Sequence, residues 1–459
     1  MKNRKRRLET IALYDHTGIE QHLANMAQQG WMLESIGTLG WVYRRTEPKL
    51  GQFAVTYYPK ASEFDPEPSE GEQRYQEFTA QSGWALVCHS AQMQVFYTEQ
   101  ADPIPLETDP VTQVENIHMA AKKSFLPCYG MLLGVAILNG AQAIANVFKR
   151  PISTLSSPLH LFALFSCGIL FAFCMAELLV YYRWLRTAKT SAEHGAFTDT
   201  PHTAPLQRIL LAVLLLTGLL CFCSIGGSLR WLWALSFGYI IALVLLVNGV
   251  KNLLKRWKVS RNLNLTLTLV VDVVLAVAMT AVMVHTILQT GDRTLFGNDE
   301  ETYVYQGVTY TLHQDTLPLT LENLIAIDYD GFVREGDTSE SIFLSVLRAY
   351  QHPRWDDESA TNIPSLEYNL VTVKLPFLYT LCRDALLEKY TYNDVRFPNH
   401  YQYQPIDSTP WGAVEAYQLA RETALQHYLL CYDGQLVEIF LDWEPTAEQM
   451  RTIGERLGQ

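Results

Sequence analysis

The chain has 459 residues, of which 49% are hydrophobic and only 18% charged. Net charge runs −6 over residues 1–121 (10 Lys+Arg, 16 Asp+Glu), +10 over 122–291 (14 and 4) and −16 over 292–459 (11 and 27), which returns the −12 of the whole. An apolar, basic middle between two acidic flanks excludes a purely soluble enzyme, a low-complexity or collagen-like chain, and a nucleic-acid-coating protein.

Residues 1–100 read as a small α+β domain. The apolar spacing Ile19, Leu23, Met26 predicts a helix over 17–29, and a second helix falls at 69–82. Strands are predicted at 9–15, 31–37, 41–46, 52–58, 84–90 and 93–98, with Phe53, Val55, Tyr57 showing the two-residue alternation. A weak repeat runs at an offset of 53 residues. Gln29-Gly30-Trp31-Met32-Leu33 answers Ser82-Gly83-Trp84-Ala85-Leu86, and Val42-Tyr43 answers Val95-Phe96. Each helix ends at a Gly, which suits a left-handed C-cap, and a Trp then opens a hairpin. Trp31 and Trp84 are expected to be paired core anchors of the domain; a ligand-stacking pair is the functional alternative.

The Ala27-Gln28-Gln29-Gly30-Trp31-Met32-Leu33 segment, the strand around Val42-Tyr43-Arg44 and the second Gly-Trp hairpin resemble the bacterial family called domain of unknown function 2812. The resemblance covers about a fifth of the chain. It implies membrane location, since the family is similar in pairing this domain with membrane helices. It also implies a regulatory setting, because members are often encoded near PadR-type transcriptional regulators. It supplies no catalytic or binding residue.

Residues 60–72 are expected to form an exposed loop. Residues 101–122 are read as a linker into the membrane, with Pro103, Pro105 and Pro110 within it. No cleavable signal is expected at the start, because residues 8–18 do not form an apolar run. Five apolar helices are predicted across 123–290, at Phe125–Val147, Pro158–Tyr182, Ile209–Gly226, Leu232–Val250 and Leu265–Leu288. One set of flanks carries eleven Lys and Arg (122, 123, 183, 186, 189, 208, 251, 255, 256, 258 and 261). The other carries four (149, 150, 230 and 293). The richer side is expected to be cytoplasmic, which puts the N-terminus inside and the C-terminal domain outside a cell membrane. Glu177 and Asp272 lie roughly 7–11 Å from the inner end of their spans at about 1.5 Å per residue. They either share a polar path or reach the neighbouring basic flanks. Gly130 and Gly134 form a GxxxG motif suited to close helix packing, within the chain or across a homodimer.

Residues 291–459 read as an acidic α+β domain. Strands are expected at 302–305, 308–312, 368–373, 427–432 and 436–441, and helices at Glu340–Ala349, Pro376–Lys389, Trp411–Glu422 and Thr446–Leu457. Asp433-Gly434 suits a type I′ hairpin turn. Thr446 and Gln449 suit a capping box. Asp328-Tyr329-Asp330-Gly331 starts like a calcium loop, but Val333 and Ser339 stand where that loop needs Gly and Glu. Asp356-Asp357-Glu358 is the other acidic group considered, and no metal site is assigned. An oxidising exterior would permit a bridge between Cys382 and Cys431. No phosphate-cradling loop, dinucleotide fingerprint, zinc-protease or serine-hydrolase motif is present, so no catalytic residue and no cofactor is assigned.

The function expected from this organisation is signalling or regulation, coupling an extracytoplasmic domain to a cytoplasmic one. The alternatives are a transporter accessory or small permease using Glu177 and Asp272, and a membrane-bound enzyme with an unrecognised site. The partners implied are the lipid bilayer, a protein in the cytoplasm or at the cell surface, and a second copy of the chain. No nucleic acid is implied.

Overall fold

The computed structural model describes residues 3–37, 40–224, 227–290, 302–357, 363–390, 401–421 and 423–458. Its contacts divide the chain into two units, one of residues 1–138, 166–219 and 227–293, the other of residues 139–165, 220–226 and 294–459.

The first unit opens with a duplicated motif. β1 (Arg4–Arg7), α1 (His16–Gln28), β2 (Trp31–Gly37) and β3 (Gly40–Arg45) are followed by β4 (Gln52–Tyr57), α2 (Glu70–Gln81), β5 (Ala85–Ser90) and β6 (Met93–Thr98). The two antiparallel sheets have the same order, β1-β3-β2 and β4-β6-β5. The 53-residue offset is exact in three dimensions at several points. It maps β3 onto β6, and Gly30 (φ 78°) onto Gly83 (φ 84°). It also maps a bulge between Leu33 and Ser35 onto one between Leu86 and Cys88. The left-handed glycines reverse the chain as each helix hands over to its strand. Each helix begins at a side-chain cap: Asp15 accepts from the Gly18 N–H at 2.9 Å and Ser69 from that of Glu72 at 3.3 Å.

Two expectations change here. The strand expected at 9–15 is instead the approach to the Asp15 cap, and the first strand is the basic, fully exposed Arg4–Arg7. An edge strand with no buried face carries no hydrophobic alternation to reveal it. The second half of the expected linker is α3 (Pro110–Lys123), capped by Asp109 with Pro110 at its first position. Its Val114, Ile117, Ala120 and Ala121 are buried in the N-terminal core.

Five helices are long and apolar enough to cross a membrane. They are α4 (Phe125–Lys149), α6 (Pro158–Glu193), α7 (Ala204–Ser224), α8 (Gly227–Arg256) and α9 (Arg261–Thr290). The predicted end of the third span, Gly226, lies outside the described residues. At 36 residues, α6 is about 54 Å long, against about 30 Å for a hydrocarbon layer. The excess carries Trp184, Leu185, Ala188 and Ala192 into the core of the N-terminal domain. The short α5 (Pro151–Ser156) links α4 to α6.

In the second unit a hairpin of β7 (Thr302–Tyr305) and β8 (Val308–Thr311) turns on Gln306 and Gly307, both at positive φ (50° and 80°). It precedes β9 (Phe332–Glu340), β10 (Leu344–Pro353), β11 (Leu366–Val373), α10 (Tyr379–Glu388), β12 (Gln402–Ile406), β13 (Glu415–Ala420), β14 (Ala424–Tyr432), β15 (Gln435–Leu441) and α11 (Ala447–Leu457). Seven of these strands form one antiparallel sheet in the order β12-β13-β14-β15-β11-β10-β9. The helix expected at Glu340–Ala349 is the β9–β10 corner and most of β10. Leu344 and Val346 face one core while Ala349 and Leu347 face the other, and an apolar run buried on both faces imitates a helix. The helix expected at Trp411–Glu422 is β13, Glu422 lying outside the described residues. A bulge between Gln418 and Ala420 sets the buried Ala416 and Leu419 three residues apart, a helical spacing made by an irregular strand. The turn at Asp433-Gly434 has positive φ only at Gly434 (75°), so it lacks the left-handed pair of type I′. α11 opens with the Thr446–Gln449 capping box.

Both faces of the sheet are covered. One packs Tyr368, Leu430, Val437 and Ile439 under Ile453 and Leu457 of α11. The other packs Val346, Val371, Leu429 and Leu436 under Leu378, Cys382 and Leu386 from 378–386 and Leu155 from α5. Ser339 Oγ donates to the Ser156 carbonyl at 3.2 Å, and Ser341 Oγ donates to that of Leu155. The link between the first two spans is thus part of the C-terminal domain's core.

Candidate functional site

In the first unit the buried polar residues Asp15, His16, Glu177, Thr200 and Thr203 lie where the N-terminal domain meets α6 and α7. Tyr14 sits among Phe125 of α4 and Tyr181 and Trp184 of α6, with ring centroids 5.0–5.8 Å apart. Such aromatic pairs contribute about 0.5–1.5 kcal/mol each beyond their area. Next along the chain, the buried Asp15 accepts from Thr200 Oγ1 at 2.6 Å and faces His202 Nδ1 at 3.1 Å. Thr17 and Thr200 hydroxyls meet at 2.7 Å. Glu177, fully buried on α6, accepts from Thr203 Oγ1 at 3.3 Å and Gln207 Nε2 at 3.2 Å. The α6–α7 connection, residues 194–203, therefore holds the cap of α1 and ends beside the buried carboxylate of α6. Tyr14 Oη, His16 Nδ1 and Trp184 Nε1 are buried here with no hydrogen-bond partner among the described residues. Burial lowers the His16 imidazole, which Asp15 only partly opposes.

The acidic loop expected at 60–72 clasps the basic α8–α9 connection. Lys251 pairs with Glu63 at 2.9 Å, Lys258 with Glu67 at 2.6 Å and Arg261 with Asp65 at 3.8 Å. Asn264 Nδ2 donates to the Phe64 carbonyl at 3.2 Å.

Asp272 is half-buried on α9, and no hydrogen bond or ion pair among the described residues joins it to Glu177. A Cβ on Gly130 or Gly134 would meet nothing within 4 Å, so neither glycine is in close helix contact among the described residues. Trp84 is buried, with Nε1 donating to the Ile104 carbonyl at 2.8 Å. Trp31 is half-buried, and the Lys5 and Arg45 charges lie 5.5 and 5.0 Å from its ring. Cys382 and Cys431 are free thiols in one core, raised by burial to about 11 and about 12. Among the described residues no group of three His, Cys, Asp or Glu could hold a metal.

The second unit holds a cluster that the sequence reading missed. Glu438 of β15 is buried on the α10 face of the sheet. Its Oε2 accepts from Lys389 Nζ at 2.8 Å and from Asn369 Nδ2 at 3.1 Å. Its Oε1 accepts from Lys389, Tyr390 and Tyr403 at 3.1–3.2 Å and faces His427 Nε2 at 3.2 Å. Burial alone pushes the Glu438 carboxyl up, but the His427 hydrogen bond and the Lys389 charge outweigh it and hold the group at about 2. Burial and the Glu438 charge push the Tyr403 phenol up. A carboxylate so fully engaged is a fixed negative charge and not a proton acceptor near neutrality. Strand register extends the polar line: Asp337, Arg348, Asn369 and Glu438 are successive cross-strand neighbours on β9, β10, β11 and β15. Polar residues standing where a strand's buried face is due were the available signal. They lie 11 to 69 residues apart, so only the pairing aligns them.

No curated protein and no solved structure matches the chain. Residues 15–128, which run from the cap of α1 through the duplicated motif and α3 to the first turn of α4, match the model of the family described as protein of unknown function (DUF2812).

Proposed function

We propose that this multi-pass membrane protein is a signalling or regulatory protein, with its N-terminal domain in the cytoplasm and its C-terminal domain on the outer side. The observation that carries the reading is the placement of the inter-span connections. α5, one span beyond the N-terminal domain, is built into the C-terminal core. The connections two and four spans beyond it, α6–α7 and α8–α9, are bonded to the N-terminal domain. The first connection with one domain and the second and fourth with the other are what two opposite faces require. The even connections also carry the basic excess of a cytoplasmic side.

Coupling would act through α6. One end follows α5, and the other is gripped by the Tyr14 cluster. A ligand or partner on the C-terminal domain that shifts α5 would favour one of two arrangements of α6 against α7, and Asp15 would carry the shift into α1. Leu155→Ala in the full chain tests this by loosening α5 from its core, at a cost of about 2–5 kcal/mol. Amide hydrogen exchange should rise in residues 14–28 and 194–203 as well as in 151–156. A rise confined to 151–156 and the adjoining strands would show that the two ends are not coupled.

A further inference from the structure

A cavity of about 360 Å³ opens beside Glu438, bounded by the α4–α5 corner, β10, β11 and the end of α10. Four cations line it: Lys149, Arg150, Arg348 and Lys389. Lys389 is matched by Glu438, whose oxygens are fully engaged. The side chains of Lys149, Arg150 and Arg348 make no ion pair or hydrogen bond among the described residues. Asp337 is the cross-strand neighbour of Arg348 but forms no ion pair with it. Counting Asp337, the site still holds four cations against two carboxylates. The surplus comes from Lys149 and Arg150 of the α4–α5 corner, because Arg348 and Lys389 only balance Asp337 and Glu438. The Glu438 cluster fixes the floor, while Ile152, Val371 and Leu386 make one wall apolar. A volume of this size admits a small ligand or a headgroup.

We propose that this cavity binds a phosphate monoester or diester group. Arg150 and Arg348 would donate paired N–H groups to its oxygens, and Lys149 would add charge. The phosphate can come from an anionic lipid headgroup, since Lys149 ends α4 and Arg150 follows it, or from a phosphorylated solute. The site does not depend on the signalling reading: binding can be present whether or not the two domains are coupled.

The test uses the full chain. In neutral detergent, sn-glycerol 3-phosphate is titrated by calorimetry. In nanodiscs of phosphatidylcholine with or without phosphatidylglycerol, lipid retained on extraction is read by native mass spectrometry. A soluble ligand predicts saturable glycerol phosphate binding, weakened about tenfold or more by Arg150→Gln and by Arg348→Gln. A lipid ligand predicts phosphatidylglycerol retention that both variants lose, without glycerol phosphate binding. Arg451→Gln, an exposed cation on α11, should change neither. All three side chains are exposed, so the variants should fold, and Arg348→Lys, which keeps the charge but loses the paired donors, should bind more weakly than the native chain and more tightly than Arg348→Gln. If neither probe binds, or if binding ignores Arg150 and Arg348, the proposal is overturned.

Discussion

Glu438 shows how much one side chain can demand. Removing the carboxylate by Glu438→Ala leaves the buried His427 and the 43% exposed Lys389 without their acceptor. Solvent screening at Lys389 puts the cost below the ~3–5 kcal/mol of breaking a fully buried pair. A lower melting temperature for the C-terminal domain and faster exchange across residues 427–441 are the expected readouts. The same residue gives that domain an acid limb. Its folded carboxyl titrates at about 2, below the ordinary 4.5, so the stability it confers is complete above about 4.5 and is lost as pH falls toward 2. The N-terminal domain has the opposite sign. Burial lifts Glu20 to about 7 against the hydrogen bond from the Val55 N–H, and burial lifts Glu107 to about 7 as well. Both carboxyls are most easily held protonated, so that domain should lose stability as pH rises from 4.5 through 7. Domain-resolved hydrogen exchange from pH 3 to 8 separates the two trends, and Glu20→Gln should flatten the second.

At the scale of elements, the α6–α7 connection holds the cap of α1. Asp15→Ala removes the α1 cap together with the acceptor for Thr200, an expected loss of about 2 kcal/mol. Asp15→Asn should recover most of it, because the amide oxygen can still cap. Exchange in 16–28 and 194–203 should rise together in the alanine variant. Much of this domain was legible beforehand, because Gly30-Trp31 and Gly83-Trp84 mark two turns of one repeating motif and the helices between have clear apolar spacing. What was hidden has physical causes. β1 buries nothing, α3 follows a run of prolines, and β10 is apolar on both faces. The bulge in β13 gives a strand the spacing of a helix. The ionic row under Glu438 was invisible for a different reason, since it exists only across strand pairings.

For the whole molecule, the arrangement we propose puts the N-terminal domain and the even-numbered connections on one face of the membrane. Acidic residues of 60–72 meet the basic α8–α9 connection, and an even number of spans separates them. A fluorescent protein fused after Gln100 should glow, and alkaline phosphatase fused at Gln459 should be active. The reverse fusions should both be silent. Activity of the fluorescent fusion at both ends would place the C-terminal domain in the cytoplasm and end the two-face reading. Removing the clasp by Glu63→Gln with Glu67→Gln should cost little, since both carboxylates are more than half exposed and such pairs are worth about 0–1 kcal/mol.

The burial of α5 also sets an order of biogenesis. Leu155 leaves the ribosome long before Ser341, which closes over it 186 residues later. Until then the loop between the first two inserted helices waits with an uncovered apolar surface. A nascent chain halted after the fifth span would be complete as a membrane bundle yet still unfinished at that corner. Chains truncated after the fifth span should therefore be cut within α5 sooner than the full chain, which limited proteolysis of the two would show.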